Sequence, residues 1–469
     1  MSSTPSAPIS SGKGWIFVAV GLGTFMSALD TSIVNTILPL ITRALGSPLV
    51  STQWVVTTYL LVVSGFLLAF GRLGDLGGHK RLCLLGFAAF ASGSALCALA
   101  GSVWGLVTSR ALQALGAALL FANGPAILTR NFPPAQRGRI LGLQATMTYL
   151  GLTLGPSLGG WLASAFGWRA VFSLNVPLGV AALVLGWRVI PADIPARRGE
   201  GFDAPGAALF IVGLVALLLG LNRGSAWGWG SAAVIGLILA AMALLALFVL
   251  WERRAASPLL DLGLFRRRLF SAALASAVMN YICTYTITFF LPFYLIQGRG
   301  LDSAQAGMIL TAQPLVMALI APISGALSDR IGSRLLATLG MLVLMVGLLA
   351  LSRLGGKTPL PVVTALLVVT GLGIGLFTSP NTSTLMGAAP RQRQGVTAGI
   401  LATARNTGMV LGVGLAGAIY NTLLAHQPPQ AATLAAVPMV YGIGAVIALL
   451  AALTSAVRGD EAIEPSTTP

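Results

Sequence analysis

The sequence predicts an all-α membrane protein: two six-helix bundles with two additional helices between them. Three observations carry that expectation. The composition is too apolar for a water-facing surface, fourteen apolar runs are each long enough to span a bilayer, and an internal repeat relates the two halves of the chain. Of 469 residues, 56% are hydrophobic and 9% charged, with a mean hydropathy of +0.88. Soluble domains carry about 25% charged residues, so this chain could not cover itself in water. Its 57 glycines and 25 prolines lie mostly inside apolar runs, where membrane helices tolerate both.

A helix needs about 20 apolar residues to cross the hydrocarbon core. Such runs fall at roughly 15–38, 52–71, 82–101, 104–128, 139–163, 169–190, 205–221, 231–251, 270–296, 304–327, 335–352, 361–381, 396–424 and 436–457. The seventh is short, with Asn222 and Arg223 just beyond it. The first apolar run is long enough to span and has no A-x-A cleavage site, which reads as an uncleaved first helix rather than a signal peptide. An even count puts both termini on one side. With that side inward, inner segments hold twenty Lys and Arg, among them Lys80, Arg81, Arg137, Arg139, Arg197, Arg198 and Arg266 to Arg268. Outer loops hold six, at Arg43, Arg169, Arg223, Arg299, Arg353 and Lys357, while Arg110 and Arg405 fall inside spans. The positive-inside rule then places both termini in the cytoplasm of a cell (inner) membrane. The net charge of +16 faces anionic inner-leaflet lipid, not nucleic acid.

The repeat is visible in two pairs of segments. GRLGDLGGHKR (71–81) and GALSDRIGSR (325–334) align Asp75 with Asp329 and Gly78 with Gly332. GLQATMTYLGLTLGPSLGG (142–160) and GILATARNTGMVLGVGLAGA (399–418) align Gly151 with Gly408 and Gly155 with Gly412. The expected organisation is a bundle at 1–196, two extra helices with linkers at 197–259, a second bundle at 260–457 and a cytoplasmic tail at 458–469. Parallel six-helix halves around a midplane site are one plan of secondary transporters.

These motifs resemble those of the major facilitator superfamily, and within it the fourteen-helix drug:proton antiporters, over nearly the whole chain. Residues 71–81 are similar to the family's loop signature between helices 2 and 3, and LVTSRALQALGAA (106–118) to its helix 4 signature, with Ala114 where a glycine is usual. GLTLGPSLGG (151–160) fits the helix 5 antiporter motif, and LDTSIVNTILPLI (29–41) resembles the helix 1 motif, with Asp30 and Pro39 in place. The resemblance implies export of lipophilic, cationic drugs or antiseptics in exchange for protons, by alternating access. It implies no enzyme activity and no cofactor beyond the proton gradient. The expected partners are the bilayer, small lipophilic substrates and protons, with the protein acting as a monomer.

Asp30 alone among twelve carboxylates falls inside a span, about eight residues and so ~12 Å from its outer end. A charge there costs several kcal/mol unless paired or wet, and marks a functional site by default. It is a proton carrier, or else a structural ion pair or an interfacial carboxyl. Arg110 comes to a similar depth on an antiparallel helix and can pair with Asp30; otherwise it orients Gln113 and nearby backbone. The resemblance implies a role for it in proton transfer. Arg405, near the midplane of its span, needs Asp30, backbone carbonyls, a hydroxyl such as Thr403 or Thr407, or an anionic group of the substrate. Gly151, Gly155 and Gly159 recur every four residues, giving a smooth face for close packing. Gly160 completes the motif and Pro156 can kink it, which suits a rocking interface between bundles. Asp75 and Asp329, each in a short loop with Gly71, Gly78, Arg81, Arg330 and Arg334 nearby, read as a cytoplasmic gate. Each could bond a neighbouring helix N-terminus or an arginine, or be a solvated loop charge.

For the substrate wall, Phe25, Met26, Tyr59, Tyr281, Tyr285, Phe289, Phe290 and Tyr294 offer aromatic or soft surface for stacking and cation–π contact. Gln113, Asn280, Gln313 and Asn406 are polar enough to prefer a cavity over lipid. Three cysteines, Cys83, Cys97 and Cys283, lie in apolar runs without metal spacing, and His79 and His426 are placed in separate loops, so no metal site is expected. GVGLAG (412–417) lies in an apolar helix with no preceding strand and is a packing face, not a dinucleotide site. The alternatives on the same fold are an exporter or flippase of an endogenous lipid or metabolite, and a non-transporting sensor.

Overall fold

The computed structural model describes residues 11–457 apart from 193–200, 229, 256, 261 and 425. Arg197, Arg198, the 196/197 boundary and the 458–469 tail lie outside the described residues. The first bundle comprises α1 (Ser11–Ala44), α3 (Trp54–Gly77), α4 (His79–Leu99), α5 (Val103–Asn131), α6 (Arg137–Phe166) and α7 (Trp168–Val189), with a one-turn α2 (Leu49–Thr52) before α3. A hairpin of α8 (Ala204–Trp227) and α9 (Ala232–Glu252) follows. The second bundle comprises α10 (Arg268–Phe293), a short α11 (Ser303–Leu310), α12 (Ala312–Ile331), α13 (Ser333–Leu351), α14 (Leu360–Ala388), α15 (Gln394–Leu424) and α16 (Pro429–Ala456).

Among the described residues, thirteen helical segments are long and apolar enough to cross a membrane. The remaining long helix, α6, has 30 residues and is less apolar because Gln144, Thr146, Thr148, Thr153 and Ser157 interrupt it. Its place is central: it packs on α1 within its own bundle and on α12 of the other, so Gln144 and Thr146 find protein partners, Thr24 Oγ1 and Ala318 O. The tenth expected span, 304–327, divides at Thr311 into α11 and α12. The seventh is longer than expected, because Arg223 is folded into α8 over the Trp54 ring at 4.6 Å and donates to Gln53 Oε1 at 3.3 Å.

Helix starts carry local caps. Ser102, Asp203, Ser231 and Asp302 each accept from the backbone N–H three residues on, satisfying a donor that the helix itself cannot. The α3–α4 and α12–α13 corners turn at Gly78 (φ 99°) and Gly332 (φ 85°), a backbone region that favours glycine.

Two helix-interior prolines have carbonyls that other helices satisfy. Pro156 cannot donate to Leu152 O, and Ser32 Oγ of α1 donates to that oxygen at 2.9 Å. Pro322 frees Ala318 O, which accepts from Thr146 Oγ1 of α6 at 2.8 Å across the two bundles. Such repair by neighbouring hydroxyls is what lets membrane helices keep proline. Ser32→Ala is therefore expected to lower stability by about 1 kcal/mol, read as a depressed melting temperature of the detergent-solubilised protein.

Each bundle has its own apolar core. Phe87, Phe90, Ala114 and Leu120 lie in the first, and Phe290, Tyr294, Met341 and Tyr441 in the second. A third cluster, including Leu61, Phe210, Leu218 and Val410, joins α8 to both α3 and α15. The extra hairpin thus lies across the seam between bundles.

Candidate functional site

Asp30 is fully buried in α1, and three donors from two other helices converge on it. Arg110 Nη1 of α5 donates to Asp30 Oδ2 at 2.5 Å, Gln113 Nε2 to Oδ1 at 2.9 Å, and Asn175 Nδ2 of α7 to Oδ1 at 3.1 Å. Both oxygens accept and every partner donates, so the arrangement is that of a carboxylate. Gln113 is oriented in turn: its Nε2 also donates to Ser94 Oγ of α4 at 2.7 Å, and its Oε1 accepts from Arg110 at 2.7 Å. The Arg110 guanidinium lies over the Tyr59 ring at 4.1 Å, and its Nε donates to Val55 O at 3.3 Å. Tyr59 donates to Ser27 O at 3.5 Å. A buried ion pair is tolerated only when its remaining hydrogen-bonding capacity is filled, and here the first bundle alone fills it.

The pairing of Asp30 with Arg110 was legible from depth. Ser94 and Asn175 were not, because nothing in their local sequence tells which way α4 and α7 are rotated. Gln113 and Tyr59, expected at a substrate wall, serve this network instead.

Among the described residues, the second bundle has no copy of the network. Gly151 of α6 meets Phe25 O and Leu29 N of α1, as Gly408 of α15 meets Val278 O and Ile282 N of α10. That correspondence puts Cys283 where the first bundle has Asp30. Cys283 donates to Gly444 O at 3.3 Å. Likewise Gly93 abuts Gln113 as Gly347 abuts Thr370, and Thr370 accepts from Gln313 at 3.1 Å. The ionisable site is one-sided.

Arg405 is half-buried, with its guanidinium over Phe121 of α5 at 4.7 Å. It has no carboxylate partner among the described residues, and it is near enough to Tyr149, Tyr281 and Tyr285 to act on them electrostatically. Of the wall residues, Phe25, Tyr281, Tyr285 and Phe289 are half-buried. Met26, Phe290 and Tyr294 are fully buried in the bundle cores, since the helical period turns them inward. Asn406 donates to Ser64 of α3 at 2.8 Å, and Asn280 is buried with neither amide atom hydrogen-bonded.

The helix 5 glycines differ from their expected place. Gly151, Gly155 and Gly159 face α1 within the first bundle, where an added Cβ would strike Phe25 O, Ser32 and Ile33. Gly160 and Pro156 are exposed, and α6 continues through the proline without a break. The contact between bundles is made one face over, by Gly138, Gly142 and Thr146 against α12.

Asp75 and Asp329 sit in the last turns of α3 and α12, not in loops. Asp75 accepts from Gly395 N at 3.0 Å and Val396 N at 2.9 Å, at the start of α15. Asp329 accepts from Gly138 N at 2.8 Å and Arg139 N at 3.0 Å, at the start of α6. Each carboxylate caps the other bundle's helix, where unpaired N–H groups and the dipole favour an anion. The backbones cross at Gly71 with Gly395 and at Gly138 with Gly325. Arg130 of α5 reaches Asp75 Oδ1 at 3.2 Å, whereas Arg81, Arg330 and Arg334 are exposed. His79 is not a loop residue; it is buried at the first position of α4.

Two bundles of spanning helices, latched reciprocally at one end and carrying a buried ion pair in one half, have the plan of a multi-pass membrane transporter. A family model described as Major Facilitator Superfamily matches residues 20–250, 195–413 and 273–468, and the chain belongs to that superfamily. It is 35% identical over 415 residues to the riboflavin transporter RibZ of Clostridioides difficile, covering 88% of this chain and 90% of that one. It is 34% identical over 403 residues to the multidrug resistance protein Stp of Mycobacterium tuberculosis (86% and 75% covered). It is 33% identical over 420 residues to the tetracenomycin C resistance and export protein of Streptomyces glaucescens (89% and 78% covered). The fold matches the human organic anion transporter MFSD10 with a TM-score of 0.69 at 17% identity, covering 94% of this chain and 99% of that one. It matches the proton:xylose symporter XylE with a TM-score of 0.67 at 14% identity (96% and 97% covered). The bacterial relatives place it in a cell membrane.

Proposed function

We propose that this chain exports flat, lipophilic, cationic compounds in exchange for protons, as a fourteen-helix antiporter alternating between two bundle arrangements. The observation that carries the reading is the buried Asp30–Arg110 pair. Taking up a proton at Asp30 turns one of its two accepting oxygens into a donor and removes the charge that pairs with Arg110, so protonation reorganises the contacts of α1, α5 and α7 together. The multidrug resistance and export relatives support the substrate class. With both termini cytoplasmic, the Asp75–Asp329 end is the cytoplasmic gate, and its reciprocal caps correspond to an outward-facing state.

A second reading keeps the mechanism and changes the cargo to a flat metabolite without positive charge. It is favoured by Arg405, a cation beside aromatic side chains with no carboxylate partner among the described residues, and by the riboflavin transporter among the relatives. The test is uptake into everted vesicles of ethidium and, separately, riboflavin, for the parent and Asp30→Asn, with and without a proton gradient. Gradient-driven ethidium movement that falls to the no-gradient level in Asp30→Asn is expected. Movement of riboflavin alone would favour the second reading. Equal rates in parent and variant would remove Asp30 from coupling.

A further inference from the structure

We infer that the cleft between α8 and α15 is a binding site for one acyl chain of a membrane phospholipid. The inference is independent of the cargo and of proton coupling. The cleft lies toward the end of the molecule opposite the Asp75–Asp329 latch. Its volume is about 340 Å³, within the range of small-ligand sites, about 300–1,000 Å³. Leu221 of α8 forms one wall, and Val410, Leu411, Gly414, Leu415 and Ala418 of α15 form the other. These α15 positions make two adjacent rows at four-residue spacing, so they share one face of the helix. Gly414 belongs to the GVGLAG segment, which reads from sequence as a packing face. Only part of that segment packs closely. Gly412 abuts Ile282 O of α10, whereas Gly414 faces open space, with nothing within 4 Å of an added Cβ.

Neither helix can close the gap. α8 is held on α3, where a Cβ on Gly65 would come within 3.1 Å of Val215, and where Arg223 lies over Trp54 and donates to Gln53. α15 is held on α10, whose Val278 O and Ile282 O meet Gly408 and Gly412. The space between them is therefore fixed by packing on either side. Left empty, it would forfeit dispersion contacts for every atom that lines it. Water does not fill it, because an apolar cavity without polar partners stays dry. A cationic or flat aromatic compound finds no charge, hydroxyl or ring in these walls. A hydrocarbon chain needs none of them.

A chain can also reach the cleft. Leu411 is exposed, and Leu221, Gly414 and Leu415 are half-buried. The cleft thus opens on the surface that meets lipid, as do the exposed Val212, Leu239 and Met242 of the hairpin. Leu221 stands six residues before the end of α8, and Ala418 six before the end of α15. Each is about 9 Å along its helix from that end, at 1.5 Å per residue. That is acyl-chain depth, and the exposed Trp227 at the end of α8 suits the headgroup region above it.

The test is photolabelling in vesicles with a phosphatidylglycerol that carries a diazirine at mid-chain, followed by mass spectrometry of the labelled peptides. Label in the Val410–Ala418 segment is expected to exceed severalfold that in the Ile235–Met242 segment of α9. That reference lies in the same half of the bilayer and exposes Ile235, Leu239 and Met242 to bulk lipid. Equal labelling of the two segments would mean bulk lipid only, and overturns the inference without recourse to any variant. Gly414→Leu, whose side chain enters the open space, should bring the α15 label down to the α9 level with no fall in melting temperature. Label kept at the parent level in Gly414→Leu overturns the inference. So does loss of the parent's label on addition of ethidium or riboflavin, which would make the cleft a route for cargo. Because the readout is lipid contact, a failure of gradient-driven transport would leave it unmoved.

Discussion

Arg110→Leu destabilises the protein by about 3–5 kcal/mol, because it strands a buried carboxylate rather than merely deleting a bond. Asp30 would keep its contacts with Gln113 and Asn175, but two amides do not neutralise a charge. The measurement is thermal unfolding in detergent, where the single variant should melt well below the parent. The Asp30→Leu/Arg110→Leu double variant should recover most of the loss, since replacing both members of a buried pair with apolar groups is often neutral. Gradient-driven transport should be absent in both. A double variant as unstable as the single one would show that Arg110 acts through its packing on Tyr59 and not through its charge.

Gly71→Leu is expected to hold the gate open while leaving each bundle folded. The nearest atoms to a Cβ at this position are the Gly395 carbonyl carbon and oxygen, main-chain atoms that cannot step aside without moving α15. Overpacking of this kind costs about 1–3 kcal/mol, and here the whole cost falls on the closed state. The closed-to-open ratio should therefore drop roughly tenfold to a hundredfold. A longer distance between spin labels at Gly77→Cys and Gln392→Cys, both exposed beside the gate, with an unchanged melting temperature, would register it. The parent distance would mean that Gly71 and Gly395 are not the point of closure. The equivalent crossing at Gly138 and Gly325 predicts the same result for Gly325→Leu on the opposite seam.

Much of the architecture was legible before any coordinates. The helices follow from apolar length, the halves from the alignment of Asp75 with Asp329, and the ion pair from two charges inside spans at matching depth. The glycine motif of α6 was legible as a packing face, but its partner was not. Four-residue spacing specifies a smooth stripe without saying whether α1 or the other bundle fills it. Asp75 and Asp329 were placed one turn too far out, because charged residues end an apolar run before they end the helix itself.

What the sequence determined alone is the set of constraints that depend on solvent: which segments leave water, how many there are, and which few charges must be buried with them. Which side chains meet was decided only in the tertiary structure. Lipid and protein interior are almost equally apolar, so a membrane helix carries little amphipathic signal to say which face turns inward. Ser94 could not be assigned to Gln113, nor Asn175 to Asp30, nor Thr146 to the carbonyl freed by Pro322, until rotation and depth were fixed by packing. The same holds for His79, whose two ring contacts, with Asn123 and Asp75, exist only because Gly74 and Gly395 let three helices close around it.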